Sequence, residues 1–330
     1  MDEMALNSAK IVNVGDPGAI REAAQVILRG GLVAFPTETV YGLGADACNP
    51  EAVARIFEVK RRPSFDPIIV HLSDAKSAKT YGEIPSGRAV ELAARFWPGP
   101  LTLVVPKSPV VPPIVTAGLE TVALRVPAHS AALDLIRATG RAIAAPSANL
   151  FGRVSPTDAR HVVEQLGNGG VDLILDGGPC AVGIESTIVS LTGETPVILR
   201  AGGVPIEQIE QILGPVRRFI GNLDRPSAPG QLERHYATRT PLKIAAEDSM
   251  EVPDGRRLGL LSLGPPADPD RYAAVEILSA SGSLREAAAN LFAALHRLDS
   301  LGLDTIIACP FPERDLGVAI MDRLRRCAAR

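Results

Sequence analysis

Three short polar segments carry most of the chemistry open to this chain. Lys60-Arg61-Arg62 ends one predicted helix, with Pro63 directly behind it. Lys is a point charge and Arg a planar fork, so Lys60 and Arg62 suit the capture of a phosphate or carboxylate. The same run suits a helix C-terminus, where cations complement the dipole, and spacing alone favours that plainer role. Pro146-Ser147-Ala148-Asn149 follows a strand end, where α/β proteins commonly hold ligands. Ser147 and Asn149 offer uncharged donors and acceptors, and an N-cap or Asx turn would use the same atoms. Gly183-Ile184-Glu185-Ser186-Thr187 joins a flexible glycine to a carboxylate and two hydroxyls. It suits an ammonium group, a metal, or a turn before a strand. Arg125 and Arg200 each close an apolar strand, a costly place for an unpaired cation. Each therefore has a structural carboxylate partner or awaits an anionic ligand.

Other reactive side chains point away from common chemistries. His71 ends a strand and His235 lies beside Tyr236 in a loop, while His129, His161 and His296 read as surface or packing residues. No histidine pair has metal-ligand spacing. Cys48, Cys180, Cys309 and Cys327 stand far apart, so neither a zinc site nor a disulfide framework is signalled. Nothing near Cys180 in sequence would lower its pKa, so it reads as structural. Gly42-Leu43-Gly44-Ala45-Asp46-Ala47 imitates a dinucleotide fingerprint, yet the following helix opens only at Asn49-Pro50, so no nicotinamide cofactor is expected. Neither a Walker loop nor a G-x-S-x-G elbow is present.

These residues need elements to position them. Asp16-Pro17 before 19–29, with Gly30-Gly31 after, reads as a helix capped by Asp16 and ended by glycine. Further helices are read at 49–62, 87–96, 130–139 and 157–166. Short apolar strands are read at 32–35, 68–72, 101–105, 122–126, 143–145, 173–175, 186–191 and 197–199. They make an α/β domain with mixed strands over residues 1–214. Residues 215–241, rich in Pro and Gly, lack either period and read as a linker or functional loop. Strands at 243–245, 258–263, 274–278 and 305–309 then alternate with helices at 284–298 and 317–328. That pattern predicts a smaller parallel α/β domain over 242–330.

Composition bounds the function. The chain has 330 residues, 46% of them apolar and 22% charged, enough for two packed domains. Aromatics are only 4%, which argues against an aromatic-rich RNA platform. A formal net charge of −3 argues against a dominant attraction to phosphate backbones. No apolar run is long enough to span a membrane, and the acidic start Met1-Asp2-Glu3-Met4 is unlike a signal peptide. A reducing cytoplasm is the expected location.

Taken in order, these segments resemble the threonylcarbamoyl-AMP synthase family. Lys60-x-Arg62 with Ser147-x-Asn149 is similar to the K-x-R and S-x-N signature of YrdC-like domains. Phe35-Pro36-Thr37-Glu38-Thr39-Val40-Tyr41-Gly42-Leu43-Gly44, Pro67 to His71, Trp97-Pro98-Gly99-Pro100-Leu101-Thr102 and Glu185-Ser186-Thr187 resemble further family stretches. Pro229-Gly230, His235-Tyr236, Phe311-Pro312-Glu313-Arg314 and Ala319-Ile320-Met321 are similar to the two-domain form.

The resemblance implies a twisted mixed sheet around a deep cationic cavity, a linker lying over it, and a Rossmann-like second domain. It implies formation of threonylcarbamoyl-adenylate from L-threonine, bicarbonate and ATP, with pyrophosphate released and Mg²⁺ brought in on the ATP. The product would pass to a tRNA threonylcarbamoyl transferase acting on adenosine 37 of ANN-reading tRNAs, without stable nucleic-acid binding by this chain. By family match, Lys60, Arg62, Ser147 and Asn149 are the expected catalytic set. Thr37, His71, Thr121, Arg125, Ser147 and Ser186 are expected around L-threonine. Lys60, Arg62, Thr116, Asn149, Ser155, Arg200, His235 and Tyr236 are expected around ATP. The alternatives are an RNA-binding module using the cationic hollow, and a carbamoyltransferase, whose zinc-finger cysteines this chain lacks.

Overall fold

With so few aromatics, the interior is filled by Ala, Val, Leu and Ile, which pack well on a pleated sheet when layered with helices. The computed structural model describes residues 9–85, 87–219, 226, 228–229, 235–246 and 255–329. Eleven strands form one sheet in the order Lys10–Asn13, Leu173–Asp176, Val33–Phe35, Gly42–Asp46, Ile143–Ala144, Ile69–His71, Thr121–Arg125, Leu101–Pro106, Thr187–Ser190, Val197–Arg200 and Arg217–Arg218. Parallel and antiparallel pairings alternate irregularly, so the sheet is mixed as expected.

Alternating side chains divide this sheet into two cores. Val33 and Phe35 face helices Ala19–Leu28 and Ser130–Thr139. Ala34, Leu43 and Ala45 face the other side, toward helices Pro50–Lys60, Arg88–Phe96, Ala159–Leu166 and Ile206–Leu213. The second sheet is fully parallel, in the order Leu242–Ile244, Thr305–Ala308, Leu258–Ser262, Ala274–Ile277. Helices Leu284–Ser300 and Gly317–Ala328 supply most of its core. Val40, Val154, Ile184 and Tyr236 belong to that same core, so the second unit packs directly onto loops of the first. Among the described residues no helix is long and apolar enough to cross a membrane.

Some local readings need correction. Gly18, in a left-handed conformation, precedes helix Ala19–Leu28, and no side chain caps it. Asp16 sits too early to cap, and instead accepts from the Asn13 amide at 3.2 Å. The fingerprint-like Gly42–Asp46 is a wholly buried strand. Gly44 has no room for a Cβ, which would stand 2.7 Å from both Phe35 and Ile143. Helix Ile206–Leu213 and strand Lys10–Asn13 had no counterpart in the sequence reading. Of the expected linker, residues 220–225, 227 and 230–234 lie outside the described residues, as does the acidic start at 1–8.

Candidate active site

Helix Pro50–Lys60 begins on Asn49, whose side chain accepts from the amides of Glu51 and Ala52. It ends where Arg61 takes a left-handed conformation, φ 53°. The chain then carries Lys60 and Arg62 inward, leaving them 1% and 8% exposed. They are therefore not a solvated helix-end charge. Lys60 Nζ donates to the carbonyls of Ser147 and Asn149 at 2.6 and 2.5 Å. Burial, then the neighbouring Arg62, push this ammonium well below the usual lysine range. Lys60 thus stands behind the Ser147–Asn149 loop and pins it. Asn149 Nδ2 donates to the carbonyls of Leu150 and Arg153, while its buried Oδ1 has no partner among the described residues.

Arg62, Arg125 and Arg200 converge on one cavity, lined also by Thr37, His71, Ser147, Glu185, Pro229 and His235. Arg62 pairs with Asp66 at 2.9 Å and donates to the carbonyls of Asp66 and Pro67. Arg125 pairs with Glu38 at 2.6 Å and donates to Thr39 Oγ1. Arg200 differs. It donates to the carbonyls of Ser186 and Pro229 and to Ser186 Oγ, with no carboxylate in contact among the described residues. The choice posed by the sequence therefore resolves differently at the two strand ends: Arg125 has a structural carboxylate partner, and Arg200 has none among the described residues.

Both cavity histidines are neutral. Burial, reinforced by Arg125, pushes His71 down to about 3. Burial likewise pushes His235 down to about 3 against the pull of Glu185, with Arg62, Lys60 and Arg200 adding to the depression. Glu185 is the opposite case. Burial alone would raise it, but Arg323, Arg200 and the Ser155 hydroxyl hold it at about 2. Buried Cys180 has its thiol pushed up, as a structural cysteine should.

Several predicted residues do not line the cavity. Ser186 Oγ lies 2.7 Å from Thr102 Oγ1, under Arg200. Ser155 Oγ donates to Glu185 at 2.6 Å. Tyr236 is fully buried in left-handed backbone, φ 66°, stacked on Phe292 with its hydroxyl unpartnered among the described residues. Thr116 donates to the Leu119 carbonyl, and Val115 beside it pairs with Ile68. Thr121 opens the strand that Arg125 closes, opposite Pro106, so it is four residues from the cavity end.

A family model described as "Telomere recombination" matches residues 25–202. A second, described as "Threonylcarbamoyl-AMP synthase, C-terminal domain", matches residues 204–329. The threonylcarbamoyl-AMP synthase of Pyrococcus abyssi is 44% identical over 94% of this chain and 94% of its own length. The chain belongs to the threonylcarbamoyl-AMP synthase family. It is an enzyme of the nucleotidyltransferase type. The Bacillus subtilis threonylcarbamoyl-AMP synthase is 43% identical over 96% of this chain and 94% of its own. A crystal structure of the P. abyssi protein complexed with L-threonine matches with a TM-score of 0.88 and 42% identity, covering 96% of this chain and 97% of that one.

For this synthase, sequence reading found the cavity arginines but missed their partners. Glu38 was visible only as part of a motif, and Asp66 was not singled out as a partner. Arg323 gave no local signal, because the contacts that tie it to the cavity wall lie 138 and 122 residues away, at Glu185 and Ala201.

Proposed function

We propose that this enzyme joins L-threonine, bicarbonate and ATP into threonylcarbamoyl-adenylate and pyrophosphate in the cytoplasm. The observation that carries the reading is the convergence of Arg62 and Arg200 with Ser147 of the Lys60-pinned loop on one cavity. The threonine nitrogen attacks the bicarbonate carbon, and loss of water leaves a carbamate. A carbamate oxygen then attacks the α-phosphorus, and pyrophosphate departs. Two anions must meet, so preorganised positive charge and positioning supply most of the acceleration.

In this reading Arg62, Arg200 and Ser147 face the triphosphate and the carbamate, and Asn149 shapes the loop behind them through its donations to Leu150 and Arg153. Thr37, His71, Arg125 and Ser186 form the threonine end. Neutral imidazoles at His71 and His235 accept or donate hydrogen bonds without adding charge. Pro229 and His235 line the cavity, and in this reading they help exclude water from a labile product. Mg²⁺ enters on the ATP phosphates, which supply hard oxygen ligands. The product is handed to a transferase that modifies adenosine 37 of ANN-reading tRNAs.

The test is pyrophosphate release by the purified chain with each reactant omitted in turn. Release that needs ATP, L-threonine and bicarbonate together is expected. Equal release without threonine or without bicarbonate would overturn the reading. Tight tRNA binding that weakens steeply between two salt concentrations would point instead to an RNA-binding module.

A further inference from the structure

A cation from the second unit stands behind the cavity wall. Arg323 lies on helix Gly317–Ala328 and is 0% exposed. Its Nε donates to Glu185 Oε2 at 3.1 Å, and one terminal nitrogen lies 3.0 Å from the same oxygen. The other terminal nitrogen donates to the Ala201 carbonyl at 2.6 Å and to Asp322 at 3.0 Å. The guanidinium also lies 5.4 Å over the Tyr236 ring. One side chain thus touches the carboxylate in the cavity wall, the residue after Arg200, and the residue after His235.

The surrounding packing brings the second unit to this spot. At Gly183, φ 71°, a Cβ would come within 2.3 Å of the Ala289 carbonyl on helix Leu284–Ser300. Glycine therefore lets the Glu185 loop lie flat on that helix. On the same helix His296 Nε2 lies 3.1 Å from the Ser155 carbonyl. Ser155 in turn donates to the second oxygen of Glu185. A buried guanidinium is a poor stabiliser compared with an apolar side chain of its size, so stability alone does not account for arginine here.

We propose that Arg323 is a positioning residue of the active site: from the second unit, it fixes Glu185, and with Glu185 and Tyr236 the wall on which Arg200 and His235 meet the substrates. This rests on the reading of the cavity as the site of threonylcarbamoyl-adenylate formation. It assigns the second unit a part in the chemistry, because removing the last helix removes the cation that orients the wall.

Glu185 supplies a readout that a merely structural arginine would not move. The groups facing it are Arg323 with Asp322 beside it on the last helix, Arg200 at its strand end, His235 and Tyr236 from the linker, and Ser155. In the wild type Glu185 is ionised throughout the working range, held at about 2. Without Arg323 burial meets less opposition, and the carboxyl takes up its proton at higher pH.

The test compares full-length wild type, Arg323→Met, Arg323→Lys and Arg323→Met/Glu185→Gln by melting temperature and by kcat/KM from pH 5 to 9, read as pyrophosphate release. Arg323→Met is expected to lower kcat/KM roughly tenfold to a hundredfold, the size of a small misplacement of reacting groups. It should also add an acid limb, with activity rising as pH rises, that is absent from wild type and from the double variant. Arg323→Lys keeps the charge and should restore the wild-type profile shape while remaining slower, since an ammonium lacks the planar fork whose separate nitrogens meet Glu185 and Ala201. A folded Arg323→Met variant with a wild-type rate and profile would overturn the positioning role whatever its melting temperature. Should Arg323→Met not fold, Arg323→Lys decides, and a wild-type kcat/KM in that variant would overturn it equally. Absence of threonine- and bicarbonate-dependent release in the wild type would instead overturn the functional reading itself.

Discussion

The ammonium of Lys60 lies 2.6 Å from the carbonyl oxygen of Ser147. Its second bond, to the Asn149 carbonyl, makes it a clamp across the whole Ser147–Asn149 loop. Lys60→Met keeps an unbranched side chain, one heavy atom shorter, but gives up both bonds. It is expected to lower kcat/KM by about a hundredfold through misplacement of Ser147 and Asn149. Steady-state pyrophosphate release, with circular dichroism to confirm the fold, checks this. Unchanged turnover would leave Lys60 a structural staple only.

Arg125 and Glu38 form a buried pair at 2.6 Å, with Glu38 also accepting from the Ala128 amide. Arg125→Met leaves that carboxylate uncompensated and is expected to cost about 3–5 kcal/mol of stability. Arg125→Met/Glu38→Gln should recover a large part of this loss. Urea denaturation of the two single variants and the double variant measures the coupling. Additive effects would mean that the pair does not act as a unit.

His71 and His235 are held at about 3 in the folded chain, below the ordinary histidine value. The unfolded chain therefore binds their protons first as pH falls. The stability they leave intact above about pH 6.5 is lost between there and about pH 3, at up to ~1.4 kcal/mol per pH unit for each. His71→Gln should flatten the dependence of unfolding free energy on pH across 4–6. Denaturant melts at pH 4, 5, 6 and 7 read the slope directly, and an unaltered slope would show that His71 is already protonated in the fold.

Gly183 combines a left-handed conformation with backbone contact to the second unit. Gly183→Ala has no flexible neighbour to displace, since the atoms it meets belong to the Ala289 backbone. Destabilisation of more than about 1 kcal/mol is expected, with the contact between the two units the first to open. Hydrogen exchange over helix Leu284–Ser300 localises the effect. Protection equal to wild type there would refute it.

Much of the architecture was legible because strands and helices announce themselves over a few residues. Helix Gly317–Ala328 and strands such as Leu101–Pro106 follow from apolar period and local turn chemistry. Strand Gly42–Asp46 did not, because its glycines look like a turn until Phe35 and Ile143 are seen filling the space a side chain would need. Helix Ile206–Leu213 was hidden for a different reason, lying at the edge where the mixed pattern gives way to the Pro- and Gly-rich stretch.

The amino-acid sequence by itself determined that this chain is α/β in two parts and that Lys60 and Arg62 suit an anion, while the grouping of Lys60, Arg62, Ser147 and Asn149 came from resemblance to a family signature. The first two depend on residue type and short-range pattern. Only the tertiary structure decided that Lys60 serves as a clamp, that Arg125 is neutralised by Glu38 while Arg200 meets no carboxylate among the described residues, and that Arg323 reaches Glu185 from the last helix. Whether a charge is buried, paired or available depends on which distant segments pack around it, and no local pattern encodes that company.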